Sequence, residues 1–132
     1  MIKKVWKVPG ARVPPPNERT LKVLASPEVT KTENLTLLLS LISPGSTTGS
    51  HTHDVDEFMY MVSGRGEGTV EGEVFPLTPD VLLFAPAGAG HEIKNTGDET
   101  LKIFCVFTPP LKPTGYIAKA VEAAKKGGED VG

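Results

Sequence analysis

The chain has 132 residues, with 14 basic and 16 acidic side chains and a formal net charge of −2. This balance argues against a broadly basic protein that binds nucleic acid or a membrane surface, and the single cysteine excludes an intrachain disulfide framework. The length fits one domain that can bury a core without covalent staples. The 14 glycines and 12 prolines exceed average usage, which predicts many short segments separated by turns and hence strands.

The first 18 residues are predicted to form an extended N-terminal arm, because Pro14, Pro15 and Pro16 favour an extended backbone. We expect this arm to lie on the surface or on a partner subunit. The early lysines are not followed by the apolar run of a signal peptide, and no segment approaches the ~20 apolar residues of a membrane span. We therefore expect a cytoplasmic protein with no membrane partner.

Residues 19–110 are predicted to form an all-β sandwich or barrel, since short apolar segments alternate with turn residues. The predicted strands cover residues 19–25, 35–42, 57–62, a hairpin over 66–74 that turns at Glu71-Gly72, then 81–84, 91–95 and 101–107. Residues 111–132 form the last predicted unit, a helix over 116–126 followed by a tail. Thr114 is the expected N-cap of that helix, and Gly127 is expected just past its end.

The three histidines lie in two segments, with His51 and His53 in the polar stretch GSHTHDVDE and His91 at the start of a predicted strand. Alternate residues of a strand point to the same face, so His51, His53 and Glu57 would project together if the strand stays regular. His91 could supply a fourth donor from across a barrel. Two imidazoles and a carboxylate suit a borderline divalent metal, although the same polar stretch also fits a solvated loop.

Two spaced motifs contain these residues. The first is Gly45-x5-His51-x-His53-x3-Glu57-x6-Gly64, and the second is Pro86-x-Gly88-x2-His91-x3-Asn95. Together they resemble the two motifs of the cupin family, and the short segment between them is similar to that of small single-domain prokaryotic cupins with an RmlC-like barrel. The second motif usually opens with a glycine where this chain has Asp80, and aspartate is also a competent turn residue.

The resemblance implies a cupin double-stranded β-helix, which is a jelly-roll barrel, here with a short C-terminal helix. It also implies that one divalent transition metal per chain (Mn, Fe, Ni, Co or Zn) is held by His51, His53, Glu57 and His91. An octahedral ion with four such donors keeps two positions for water, substrate or dioxygen. The sequence assigns no catalytic acid or base and does not select the metal.

Side chains that share a strand face with these residues are predicted to line a small-molecule pocket. Met59 and Met61 have the parity of Glu57, and leucines recur at every second position from 35 to 41. For each of these side chains, plain core packing is the competing interpretation. The predicted pocket residues are Leu37, Leu39, Met59, Met61, Ile103, Cys105 and Phe107.

The opposite face of the 57–62 strand carries Phe58, Tyr60 and Val62, which make it too apolar for a solvated surface. A homodimer would cover this face, either by sheet packing or by exchange of the N-terminal arm. Similarity to cupins, which commonly dimerise in this way, implies the same assembly.

The resemblance and the predicted pocket favour a metal-dependent enzyme that acts on a small molecule. A dioxygenase-type reaction ranks first, because open metal positions in an apolar pocket suit dioxygen. A sugar isomerase or epimerase and a decarboxylase or lyase are the alternative reactions, and a non-catalytic small-ligand binding module is the alternative of another class. A regulatory role is disfavoured, because one C-terminal helix is too little for a helix-turn-helix.

Overall fold

The computed structural model describes residues 1–127, so the predicted tail beyond Gly127 lies outside the described residues. The elements in chain order are a 3-10 turn at Val5–Lys7, β1 (Ala11–Val13), β2 (Arg19–Ala25), α1 (Pro27–Thr30), β3 (Thr36–Ile42), β4 (Asp56–Ser63), β5 (Gly66–Val70), β6 (Glu73–Leu77), β7 (Leu82–Ala85), β8 (His91–Asn95), β9 (Leu101–Thr108) and α2 (Gly115–Gly127). Each strand predicted from the sequence is present. The 3-10 turn, β1 and α1 were not predicted.

The strands form two antiparallel sheets, with the orders β1-β2-β3-β9-β4-β7 and β6-β5-β8. Isolated bridges from Thr47 to Lys94 and from His51 to His91 attach the segment before β4 to the edge of the smaller sheet. The chain then crosses to the larger sheet, where β4 lies between β9 and β7. Aliphatic side chains from both sheets, such as Leu77 and Leu101, fill the space between them. This architecture confirms the predicted jelly-roll barrel with a C-terminal helix.

The N-terminal segment packs on its own chain. Strand β1 is the edge of the larger sheet and pairs with β2, with Ala11 opposite Leu21 and Val13 opposite Arg19. Ala11 and Val13 are buried in the main core. Exchange of this segment with a partner stays a prediction.

Strand β3 corrects one expectation about the barrel interior. Leu37, Leu39 and Leu41 lie on the outer face of the larger sheet, where a separate apolar cluster includes Val8 and Ala124. The opposite face of β3 carries Leu38, Ser40 and Ile42, which point into the barrel. The alternation of a strand separates two faces but does not say which is inside, and here the N-terminal segment and α2 bury the outer face as well.

The turn before β7 keeps its shape without glycine. Asp80 adopts φ +71°, a left-handed conformation that aspartate tolerates better than most residues. Its amide donates to the Met61 carbonyl at 2.9 Å, and its carboxylate accepts a hydrogen bond from the Tyr60 hydroxyl. The replacement of glycine by Asp80 in the second motif therefore preserves the backbone conformation that a glycine would adopt.

Candidate metal centre

Four donor side chains meet at one end of the barrel. The donor atoms of His51, His53, Glu57 and His91 all lie within 4.8 Å of one another, and the set can hold a metal ion. The imidazole of His91 and the carboxylate of Glu57 are buried, whereas His51 and His53 are partly buried. The structure therefore brings together the four residues that the motifs singled out.

The convergence does not come from one regular strand, as the sequence reasoning assumed. His51 and His91 face each other across a bridge in the smaller sheet, where their amides and carbonyls exchange two hydrogen bonds of 3.0 and 2.9 Å. Glu57 instead belongs to β4 in the larger sheet. The residues between His51 and β4 leave strand geometry as the chain passes from one sheet to the other.

Backbone contacts set the tautomer of two imidazoles. The Nδ1 atom of His51 lies 2.8 Å from the Gly49 carbonyl oxygen, and that of His91 lies 3.0 Å from the Ala89 carbonyl oxygen. A carbonyl only accepts, so Nδ1 carries the proton in both rings and Nε2 keeps a free lone pair. Ligating histidines are commonly oriented by this kind of contact.

Two buried acceptor atoms then lie against each other. The Nε2 atom of His91 is 2.9 Å from Oε1 of Glu57. The contact lacks hydrogen-bond geometry, and neither atom has a hydrogen-bond partner within residues 1–127. Buried polar atoms are nearly always partnered, and two lone pairs at this distance repel unless a proton or a metal ion is shared between them. These two donors fit a bound metal ion.

The electrostatics of the site favour neutral rings at two positions. Burial lowers the pKa of His51 and of His53. Burial also lowers the pKa of His91, but the Glu57 contact and the Ala89 carbonyl outweigh it, so the pKa of His91 is raised overall. His51 and His53 are therefore deprotonated at neutral pH, which is the state that ligates a metal.

The donors lie in a cavity of about 280 Å³ between the two sheets. Of the predicted pocket residues, Met59, Ile103, Cys105 and Phe107 line it. Met61 is fully buried on the same strand face but lies in the core outside the cavity wall. Leu37 and Leu39 were predicted wrongly, because they face the outer cluster.

Several lining residues were missed by the sequence reasoning. They come from β2, from the inner face of β3 and from the start of α2, namely Arg19, Leu21, Leu38, Ser40, Ile42, Thr114, Tyr116 and Ile117. Arg19 had a detectable signal, since it shares its strand parity with the buried Leu21 and Val23. The sequence pattern could not predict that α2 packs beside the cavity, because the position of a helix depends on tertiary contacts that its own sequence does not specify.

Two further polar side chains, Cys105 and Asn95, interact with neighbouring parts of the scaffold. Burial, followed by the nearby Glu57 carboxylate, raises the pKa of the Cys105 thiol well above its usual range, so Cys105 stays protonated and can donate to that carboxylate. Asn95, the last residue of the second motif, does not line the cavity. Its side-chain amide donates to the carbonyls of Ile42 and Glu99, both at 2.9 Å, and so joins β8 to β3.

Comparison with known protein families identifies the family of this chain. Residues 38–107 match the Cupin domain family, and this range contains all four donors and most of the cavity wall. The chain is a cupin. The solved structure of a protein described as a predicted oxalate decarboxylase, from Thermotoga maritima, superposes with a TM-score of 0.75 at 24% identity over 83% of this chain and 99% of that one. At this identity the superposition shows the shared fold.

Characterised relatives are larger than the region they share with this cupin. Polyketide synthase CurC of Streptomyces cyaneus is 32% identical over 100 residues, which cover 74% of this chain and 65% of that protein. The 5-nitrosalicylic acid 1,2-dioxygenase of a Bradyrhizobium species is 31% identical over 91 residues, 69% of this chain and 43% of the enzyme. The cupin therefore has a dioxygenase among its relatives. None of the helices in the described range is long and apolar enough to cross a membrane.

Proposed function

We propose that this cupin is a metal-dependent enzyme of small-molecule metabolism, with a dioxygenase-type reaction as its first candidate activity. His51, His53, Glu57 and His91 would hold one divalent transition ion per chain, of Mn, Fe, Ni, Co or Zn. The observation that carries the proposal is the 2.9 Å distance between His91 Nε2 and Glu57 Oε1. Neither of these buried atoms has a hydrogen-bond partner among the described residues. A bound ion would supply Lewis-acid and redox chemistry to a substrate in the cavity.

The chain's own residues would prepare that chemistry. The carbonyls of Gly49 and Ala89 hold two imidazoles with Nε2 toward the site. Met59, Ile103 and Phe107 give the cavity a mostly apolar wall. This wall and the similarity to 5-nitrosalicylic acid 1,2-dioxygenase favour oxidative cleavage of a small organic molecule.

Isomerase or epimerase and decarboxylase or lyase reactions are the alternative activities. Within the described residues, the cavity wall carries one arginine, Arg19, and no lysine, whereas a phosphorylated sugar would require several such cations. A non-catalytic binding module would use the same cavity and metal without turnover. We also propose a cytoplasmic location, in keeping with the buried free thiol of Cys105.

We also propose that two copies of this chain form a homodimer. Phe58, Tyr60, Leu82 and Phe84 are the exposed outer side chains of β4 and β7, with exposed fractions of 36, 41, 60 and 42%. The rings of Phe58 and Phe84 stack at 4.8 Å, so the patch is continuous. A second copy packed on this outer patch would remove the apolar surface from water.

The metal is tested first, by elemental analysis of protein purified without added metal. We expect about one ion per chain in the parent protein and a loss of at least about tenfold in His51→Ala. Asp54→Asn is the matched control, because Asp54 is an exposed carboxylate of the same segment outside the donor set. Less than a tenth of an ion per parent chain, or an unchanged His51→Ala, would overturn the metal site.

The reaction is tested by oxygen uptake with Mn or Fe restored, against aromatic diols, hydroxybenzoates and diketones. Uptake that depends on His51 supports the dioxygenase assignment. Stoichiometric metal without oxygen uptake would reject it in favour of an isomerase, a decarboxylase or a binding module.

A further inference from the structure

An arginine side chain lies in the wall of the cavity. Among residues 1–127, the lining set contains one arginine, Arg19, and no lysine. Arg19 is partly buried at the start of β2, where it pairs with Ile42 of β3 on one side and Val13 of β1 on the other. Its parity with Leu21, another lining residue, directs it to the inside of the barrel.

The Arg19 guanidinium is short of partners. Its Nη1 atom donates to the Asn17 carbonyl at 3.0 Å, and within the described part of the chain no carboxylate lies within 4.0 Å of it. A guanidinium has five N–H donors, so most of them have no acceptor among residues 1–127. Removing a cation partly from water without an anion is costly, and that cost falls when a ligand supplies the anion.

The charges of the cavity point the same way. Apart from the imidazoles, its lining residues carry one formal cation, the Arg19 guanidinium, and one carboxylate, Glu57. These charges alone sum to zero. The dication of the proposed function would leave a net positive cavity, which an anionic ligand would neutralise.

Arg19 also lies near the donor set. It shares the wall of one cavity with His51 and with Cys105, which flank the site from opposite sheets. The cavity volume of about 280 Å³ is at the small end of ligand pockets, so one small molecule would contact both Arg19 and the donors. A planar guanidinium matches a carboxylate with two parallel hydrogen bonds.

We propose that Arg19 anchors a carboxylate group of the ligand, so that this cavity takes small carboxylic acids in preference to neutral analogues. The inference names the substrate class of the proposed enzyme and rests on that proposal for the role of the metal. Arg19 is assigned here as a binding and specificity residue. A largely neutral ligand, such as an unphosphorylated sugar, would leave the guanidinium unpaired.

The experiment compares matched acid and amide pairs. Binding of benzoate against benzamide and of salicylate against salicylamide is measured by calorimetry, with metal-restored and with chelator-treated protein. The parent cupin is expected to bind the acid of at least one pair more tightly than the amide. Arg19→Gln is expected to weaken the binding of that acid about tenfold or more and to leave the binding of its amide within about twofold.

Two further variants separate recognition from folding. Arg19→Lys keeps the charge without the planar fork, so it should recover part of the preference for the acid. Arg65→Gln is the matched control, because Arg65 is exposed and outside the cavity wall, and it should bind as the parent does. A variant that is merely destabilised would weaken acid and amide alike.

The outcomes also distinguish the two proposals. No preference for either acid in the parent protein, including no binding of either pair, would overturn the role of Arg19. An equal loss of acid and amide binding in Arg19→Gln would do the same. Absence of metal overturns the proposed function instead, while a preference for the acid that Arg19→Gln abolishes in chelator-treated protein would still support the anchor.

Discussion

The Nε2 atom of His91 lies 2.9 Å from Oε1 of Glu57, and neither atom finds a hydrogen-bond donor in the described chain. His91 donates its Nδ1 proton to the Ala89 carbonyl, so its remaining ring nitrogen faces a carboxylate as a second acceptor. The residues around the pair thus orient it for a shared cation.

Glu57→Gln should change metal binding and stability in opposite directions. The amide of glutamine can donate to His91 Nε2, which would relieve the contact between two acceptors. We expect chelator-treated Glu57→Gln to be equal to the parent or more stable by about 1 kcal/mol in urea denaturation, while its metal content falls. A marked loss of stability in the chelator-treated variant would contradict this interpretation of the contact.

Leu38 and Leu39 are adjacent in β3 and should respond differently to truncation. Leu39→Ala removes a buried side chain from the outer cluster, so it should cost roughly 2–5 kcal/mol in the free energy of unfolding without changing metal content. Leu38→Ala truncates a side chain of the cavity wall, so it enlarges the cavity and should also alter ligand binding. Urea denaturation and calorimetry with salicylate measure the two effects, and the opposite pattern would contradict the assigned faces of β3.

Phe84→Glu tests the outer patch on β4 and β7. A carboxylate buried between two apolar patches has no partner, so the substitution should convert the proposed dimer to monomers. Light scattering after gel filtration would show a mass near twice the 14.0 kDa chain for the parent and near one chain for the variant. Val74→Glu is the control, since Val74 is 58% exposed on β6 of the other sheet. A monomeric parent protein would reject the dimer.

Asp80 tests the left-handed turn before β7. Asp80→Gly can keep φ +71° without steric cost, so its stability should stay within about 1 kcal/mol of the parent despite losing the acceptor for Tyr60. Asp80→Val places a branched side chain in the same conformation and should cost about 1–2 kcal/mol or more. Thermal unfolding of both variants measures the difference. Equal stability of the two would show that the turn does not impose this conformation.

Strands β2 to β9 and the turns between them could be predicted from the sequence, whereas β1 could not. Residues Glu71 and Gly72 form the expected turn between β5 and β6, with φ of +49° and +80°, and Gly72 adopts this left-handed backbone without steric cost. The alternation of β9 buries Leu101, Ile103, Cys105 and Phe107 as expected. These features depend on local conformational preference and on a period of two, which a sequence displays directly.

The four donors were identified from their spacing, but the reason for their convergence was tertiary. His51 joins His91 in one sheet, and Glu57 comes from the other, so a single strand does not present them. The sequence alone supplied the donor types. The distances between the four donor side chains depend on the crossing of the chain from the smaller sheet to the larger one.

What the sequence by itself determined is the β architecture, the four residues of the candidate metal site and two apolar side chains of the outer patch, Phe58 and Tyr60. Only the tertiary structure decided which face of β3 is inside, because α2 and the N-terminal segment bury its other face too. It also decided that Arg19 lies in the cavity wall and that the start of α2 joins it. The alternation of apolar and polar residues along a strand indicates that one face is buried. Which element packs on that face depends on contacts between residues far apart in the chain.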